Sequence, residues 1–154
     1  MSFRLSSISF SDSMALRYIL LSLFLMLLAP HAAADLVVVA NPKSGIERLS
    51  QDEVINIYLG RYRRLASGIT AEPVDLPGDA EQKLRFYRRL VGKTLAEINA
   101  YWARLVFSGR TRPPQIAENA EAALDFVAAR PGALAYVERT QVDKRVRIVF
   151  ELGE

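Results

Sequence analysis

Apolar residues along this chain fall into two alternating rhythms, unbroken runs and a spacing of three and four. Leu36-Val37-Val38-Val39-Ala40 is a continuous, mostly β-branched run stopped by Asn41-Pro42, the pattern of a strand buried on both faces. After the loop that ends at Ser44-Gly45, Ser50 and Glu53 make a capping box ahead of Val54, Ile57 and Tyr58. Gly60 stands at the left-handed position that closes such a helix. Glu72-Pro73-Val74-Asp75-Leu76 reads as a short strand with proline near its start. Asp79 with Gln82 is expected to open a second helix, with Leu84, Tyr87 and Val91 on one face and Gly92 as its stop. Thr94 with Glu97 opens a third, carrying Ile98, Tyr101, Trp102, Leu105 and Val106 at helical spacing up to Gly109. Beyond a loop at 110–114, Asn119 caps a fourth helix through Ala122, Ala123, Phe126 and Val127, stopped by Pro131-Gly132. Ala133-Leu134-Ala135-Tyr136-Val137 and Val146-Arg147-Ile148-Val149-Phe150 are the last strands, joined by a charged turn near Asp143. Strands separated by helices predict a three-layer α/β/α domain with a mostly parallel sheet.

The N-terminal segment has a different character. An uncharged apolar run from Tyr18 to Leu28 follows Arg17 and precedes Ala29-Pro30-His31-Ala32-Ala33-Ala34-Asp35, the order of a secretory signal peptide and its small-residue cleavage site. A spanning helix needs about 20 apolar residues, and this run reaches little more than half of that before Pro30. Residues 1–34 are therefore expected to be a cleaved leader, and 35–154 a single periplasmic domain without a membrane anchor. The segment before Met14 is serine-rich and unlike a basic leader head, which makes Met14 the candidate true start.

Composition narrows the chemistry. There is no cysteine, and the only histidine, His31, lies in the expected leader. Histidine triads, ordinary zinc sites, disulfides and a lipid-accepting cysteine are thus excluded, and no cofactor or metal is expected. Losing residues 1–34 removes Arg4, Arg17 and Asp12 and lowers the formal net charge of +3 by one, too small a charge to argue for nucleic acid. Roughly 120 residues remain, the usual size of one domain. Asp75 and Asp79 are the one carboxylate pair that could do acid–base work, and a turn residue plus a helix cap is the better reading of them. The expectation is a protein that is not an enzyme.

Anion binding has better candidates. Loops running from a strand into a helix present free backbone N–H groups at the positive end of the helix dipole, and Ser44-Gly45 and Pro77-Gly78-Asp79 are such loops. Acidic Asp75, Asp79 and Glu81 weaken the second. Arg61-Tyr62-Arg63-Arg64 after Gly60, and Arg110 with Arg112 after Gly109, are the available guanidinium forks in a chain that uses 16 arginines and four lysines. Such runs beyond a helix C-terminus are more often solvated caps. Arg85, Arg88 and Arg89 read as a solvated stripe, and Tyr101 with Trp102 as core rather than a stacking platform.

The string itself carries a resemblance. Leu49-Ser50-Gln51-Asp52-Glu53-Val54-Ile55-Asn56-Ile57-Tyr58-Leu59-Gly60-Arg61 resembles the L-S-x-x-E-x-x-x-I-F-L-G-K segment of periplasmic phosphate-binding proteins of ABC transporters. Val38-Val39-Ala40-Asn41-Pro42 before it, Glu72-Pro73-Val74-Asp75 and Trp102 after it, and Pro131-Gly132-Ala133-Leu134-Ala135-Tyr136-Val137 agree in order. The resemblance implies a short, single-lobe member of the substrate-binding-like class, with phosphate or a related oxyanion as ligand and Ser44, Gly45, Gly78 and Arg61 as its anion-binding candidates. Two departures are visible. The donor loop of the form Arg-Ser-Asp-Gly-Ser-Gly-Thr is replaced by Asp75-Leu76-Pro77-Gly78-Asp79-Ala80-Glu81, and about one lobe is present where the family closes two over its ligand. The alternative is a degenerate interaction or sensor module that has lost its ligand, with a periplasmic protein or a second copy as partner.

Overall fold

The computed structural model describes residues 35–109 and 111–153; the expected leader lies outside them. In chain order the elements are β1 (Leu36–Ala40), α1 (Gln51–Tyr58), β2 (Glu72–Asp75), α2 (Glu81–Val91), α3 (Leu95–Phe107), β3 (Gln115–Ile116), α4 (Ala120–Ala129), β4 (Ala133–Glu138) and β5 (Arg147–Glu151), with a short 3-10 turn at Arg139–Gln141. The strands form one sheet in the order β3-β2-β4-β1-β5. β2 pairs parallel with β3 and β4, whereas β1 pairs antiparallel with β4 and β5. Four strands therefore share one direction, and β1 is the inverted strand between β4 and β5.

Every residue of β1, and β4 from Ala133 to Val137, is buried, which requires cover on both faces of the sheet. On one face Phe86 of α2 stacks on Tyr136 of β4 with ring centroids 3.9 Å apart, and Tyr58 of α1 meets Phe86 edge-on at 4.7 Å. The alternation along β4 turns Ala133 and Ala135 the other way, and these small residues let α4 approach β4 and β1 closely. This is the expected three-layer α/β domain.

The helix ends follow the local signals. Ser50 with Glu53 and Thr94 with Glu97 form complete capping boxes, Asn119 accepts from the Ala122 N–H, and Gly92 ends α2 in the left-handed conformation. α2 departs at its start. Its N-cap is Ala80, which offers no side-chain hydrogen bond, because a turn from Ala80 N–H to the Pro77 carbonyl leaves Asp79 outside the helix and exposed. Its buried face is also one position earlier than the apolar spacing predicts. Lys83, Phe86, Tyr87 and Leu90 point inward, while Leu84 is 39% exposed, because Lys83 is drawn to a buried carboxylate. β3 was not anticipated, being two exposed residues with no pattern of their own. The charged turn near Asp143 carries the chain past β1, so the last two strands are not neighbours. Arg145 ties that turn to α4 through Glu121 and Asp125.

Candidate functional site

The inverted β1 decides where its loop emerges. Ala40 lies opposite Leu134, which lies beside Pro73 at the start of β2. Ser44 and Gly45 therefore sit at the end of the sheet where β2 begins, and Gly78 beyond the end where β2 finishes. The length of β2 separates these candidates. Ser44 is fully buried, with its hydroxyl accepting from the Ile46 N–H at 3.1 Å. Asn41 fixes the same loop by donating to the Val127 and Ala128 carbonyls at the end of α4. Gly45 is exposed beside Ser67. Arg61 is exposed just past α1, its guanidinium 3.4 Å from the Asn56 amide oxygen. Gly78 is exposed ahead of α2 between the loop's acidic residues.

At the end of β2 the chain builds a buried polar cluster that sequence reasoning missed. Asp75 Oδ2 lies 2.9 Å from Lys83 Nζ and accepts from the Tyr87 hydroxyl at 3.0 Å. Oδ1 accepts from the Tyr136 hydroxyl in a short bond and from the Leu76 N–H at 2.9 Å. Four donors thus meet one carboxylate, and Tyr58 adds a hydrogen bond to the neighbouring Val74 carbonyl at 3.3 Å. Burial first, and the Asp75 charge second, push the Tyr87 and Tyr136 hydroxyls far above the ordinary phenol range, so both remain donors. A carboxylate with its lone pairs so engaged has none left for substrate or metal. With Asp79 out in solvent, the two acids do not face each other across a cleft. The available signal for this cluster was a lysine placed four residues before Tyr87 on the apolar stripe of α2.

The described residues also frame a cleft of about 880 Å³, within the size range of ligand sites. It lies between the loop after α1, the starts of β2 and β3, and the C-terminal end of α3. Trp102, Val106, Pro113, Pro114 and Phe126 give it an apolar lining, and Arg63 and Arg112 stand among its walls. Gly60 passes so close to Trp102 that an added Cβ would lie 2.8 Å from the indole ring, and its φ of +70° excludes most other residues. Trp102 is buried as expected, and its indole N–H meets no hydrogen-bond acceptor among the described residues. Around the cleft, Tyr62 and Val106 are half-exposed, and Ile116 and Phe107 are 61% and 96% exposed.

Among the described residues no three acidic, histidine or cysteine side chains gather to hold a metal ion, and no helix is long and apolar enough to cross a membrane.

No protein-family model and no curated protein matches the sequence. Solved structures do match the fold. An ABC-type phosphate transport receptor from Vibrio cholerae superposes with a TM-score of 0.60 at 15% identity, over 75% of this chain and 45% of its own. A Clostridium perfringens protein, described as a phosphate ABC transporter substrate-binding protein and solved with phosphate bound, gives 0.59 at 14% identity, covering 75% and 44%. PstS from Borrelia burgdorferi gives 0.59 at 11% identity, covering 76% and 47%. The chain thus has the fold of phosphate ABC transporter substrate-binding proteins and spans less than half the length of these neighbours.

Proposed function

We propose that this chain is an exported, non-enzymatic substrate-binding-protein-like lobe that works through a protein partner and no longer closes on an oxyanion. The observation that carries this reading is the Asp75 cluster. Where the family has its donor loop, this chain places a carboxylate of its own, and Lys83, Tyr87 and Tyr136 spend their donors on it. The same loop sets Asp79 and Glu81 beside the N-terminus of α2, where negative charge opposes a bound anion. Ser44 and Gly78 lie at opposite ends of the sheet and do not converge on one ligand.

The test is crosslinking in the exporting cell. A crosslinked species is expected, either a homodimer or a second periplasmic protein. The reading fails if the protein stays monomeric and partnerless while it holds phosphate.

One observation favours the second reading, a weak phosphate or oxyanion site. Among the described α-helices only α2 lacks a side-chain cap, so the N–H groups of its first turn have no capping side chain to accept from them and remain open to an anion.

A further inference from the structure

The cleft over Trp102 has an uneven balance of charge and an unfinished sheet edge. Its wall after α1 carries Arg63, with Arg61 and Arg64 close by in the chain, and its other wall carries Arg112. Arg61, Arg64 and Arg112 form no ion pair among the described residues. The carboxylate lining the cleft, Glu72, is already held by Arg130 at 2.8 Å. Arg112 therefore leaves an uncompensated positive charge beside an apolar floor, and its complement is negative.

β3 borders the same cleft through Gln115 and, among the described residues, pairs only with β2. Its outer side offers main-chain groups to a further extended segment. Ile116 of the same strand is 61% exposed, an apolar side chain that a partner strand would cover. A membrane surface is too flat to fill a concavity of this kind. A free oxyanion would leave the apolar floor of Trp102, Val106 and Pro113 uncovered.

We infer that this cleft takes an extended, acidic peptide segment of a partner protein, with an apolar side chain over Trp102, a carboxylate on Arg112 and its main chain alongside β3. The inference rests on the reading of the chain as a module that acts through a partner. It adds the surface used and the chemistry recognised.

The chain's single tryptophan is Trp102, so its emission reports occupancy directly. The experiment selects a phage-displayed random peptide library on the whole protein, then titrates synthesised winners while reading Trp102 fluorescence. It uses the wild type, Arg112→Glu and Val106→Asp. Arg112 and Val106 are exposed, and circular dichroism verifies that both variants fold. Enriched peptides are expected to combine Asp or Glu with a large apolar residue and to shift Trp102 emission. Arg112→Glu should weaken them about tenfold or more, the scale on which a reversed charge at a contact is felt.

Failure to enrich above an unrelated control protein overturns the inference. So does enrichment of basic peptides, or binding that neither variant changes, or Arg112-dependent flotation with anionic vesicles in place of peptide binding. Peptides that bind elsewhere on the protein refute the cleft and leave the partner reading standing. Loss of that reading would be seen separately, in phosphate held by a partnerless monomer.

Discussion

Lys83 Nζ lies 2.9 Å from Asp75 Oδ2, with 8% and 6% of the two side chains exposed, so a lysine on the inner face of α2 neutralises a carboxylate at the end of β2. Removing one member of a buried ion pair strands the other charge, which costs about 3–5 kcal/mol. Asp75→Asn is expected to destabilise the protein by that amount, read as a lowered urea midpoint. Lys83→Met should do so as well. The double variant Asp75→Asn with Lys83→Met is expected to recover part of the loss, since no uncompensated charge remains. Additive losses would show that the two residues are not coupled.

Tyr136→Phe tests the same cluster from β4. It removes one donor from a buried carboxylate while keeping the stack on Phe86, and is expected to cost about 1–3 kcal/mol in a urea titration. A midpoint equal to wild type would mean that the Tyr136 hydroxyl is not committed to Asp75.

Two glycines from the expected loops behave oppositely. At Gly132 an added Cβ would stand 2.0 Å from the Thr70 carbonyl oxygen, and the Gly132 carbonyl accepts from the Glu72 N–H as β2 begins. Gly132→Ala is expected to push backbone apart and to lower the melting temperature strongly, by at least the about 1–3 kcal/mol typical of overpacking. Gly78 has nothing within 4 Å of its would-be Cβ and no positive φ. Gly78→Ala is expected to stay within about 0.5 kcal/mol of wild type. Thermal melts of both variants check this.

Acid sensitivity has an identifiable source at the start of α3. Hydrogen bonds from the Thr94 backbone, then from Lys93 and Thr94 side chains, lower the Glu97 carboxyl from 4.5 to about 2. A carboxyl depressed by folding adds stability that is complete above its unfolded value and lost as pH falls through the folded one. That loss is expected between pH 4.5 and about 2. Glu97→Gln keeps the capping geometry without the titration, so its melting temperature should fall less steeply than wild type across that window. Parallel slopes would contradict the assignment.

The parts of the fold legible in the sequence are those settled within a few residues. Ser50 with Glu53, Thr94 with Glu97, and Asn119 mark helix starts because a cap and its target lie three positions apart. The direction of β1 was not legible. A continuous apolar run such as Leu36 to Ala40 suits either direction once both faces are buried, and only pairing with β4 and β5 decides. Lys83 was hidden for a related reason, since its partner Asp75 lies in another element and a lysine beside Leu84 reads as solvated. Of the candidate site, Trp102 was legible as core. Its cleft was not, because three segments distant in sequence meet there, one of them the patternless β3.

The proposal that the Asp75 cluster has replaced the oxyanion site is tested most directly by calorimetric titration of the whole protein with phosphate and with sulfate. No saturable heat up to millimolar anion is the predicted result. Saturable micromolar binding that Gly78→Ala weakens would contradict it and place the ligand at the N-terminus of α2.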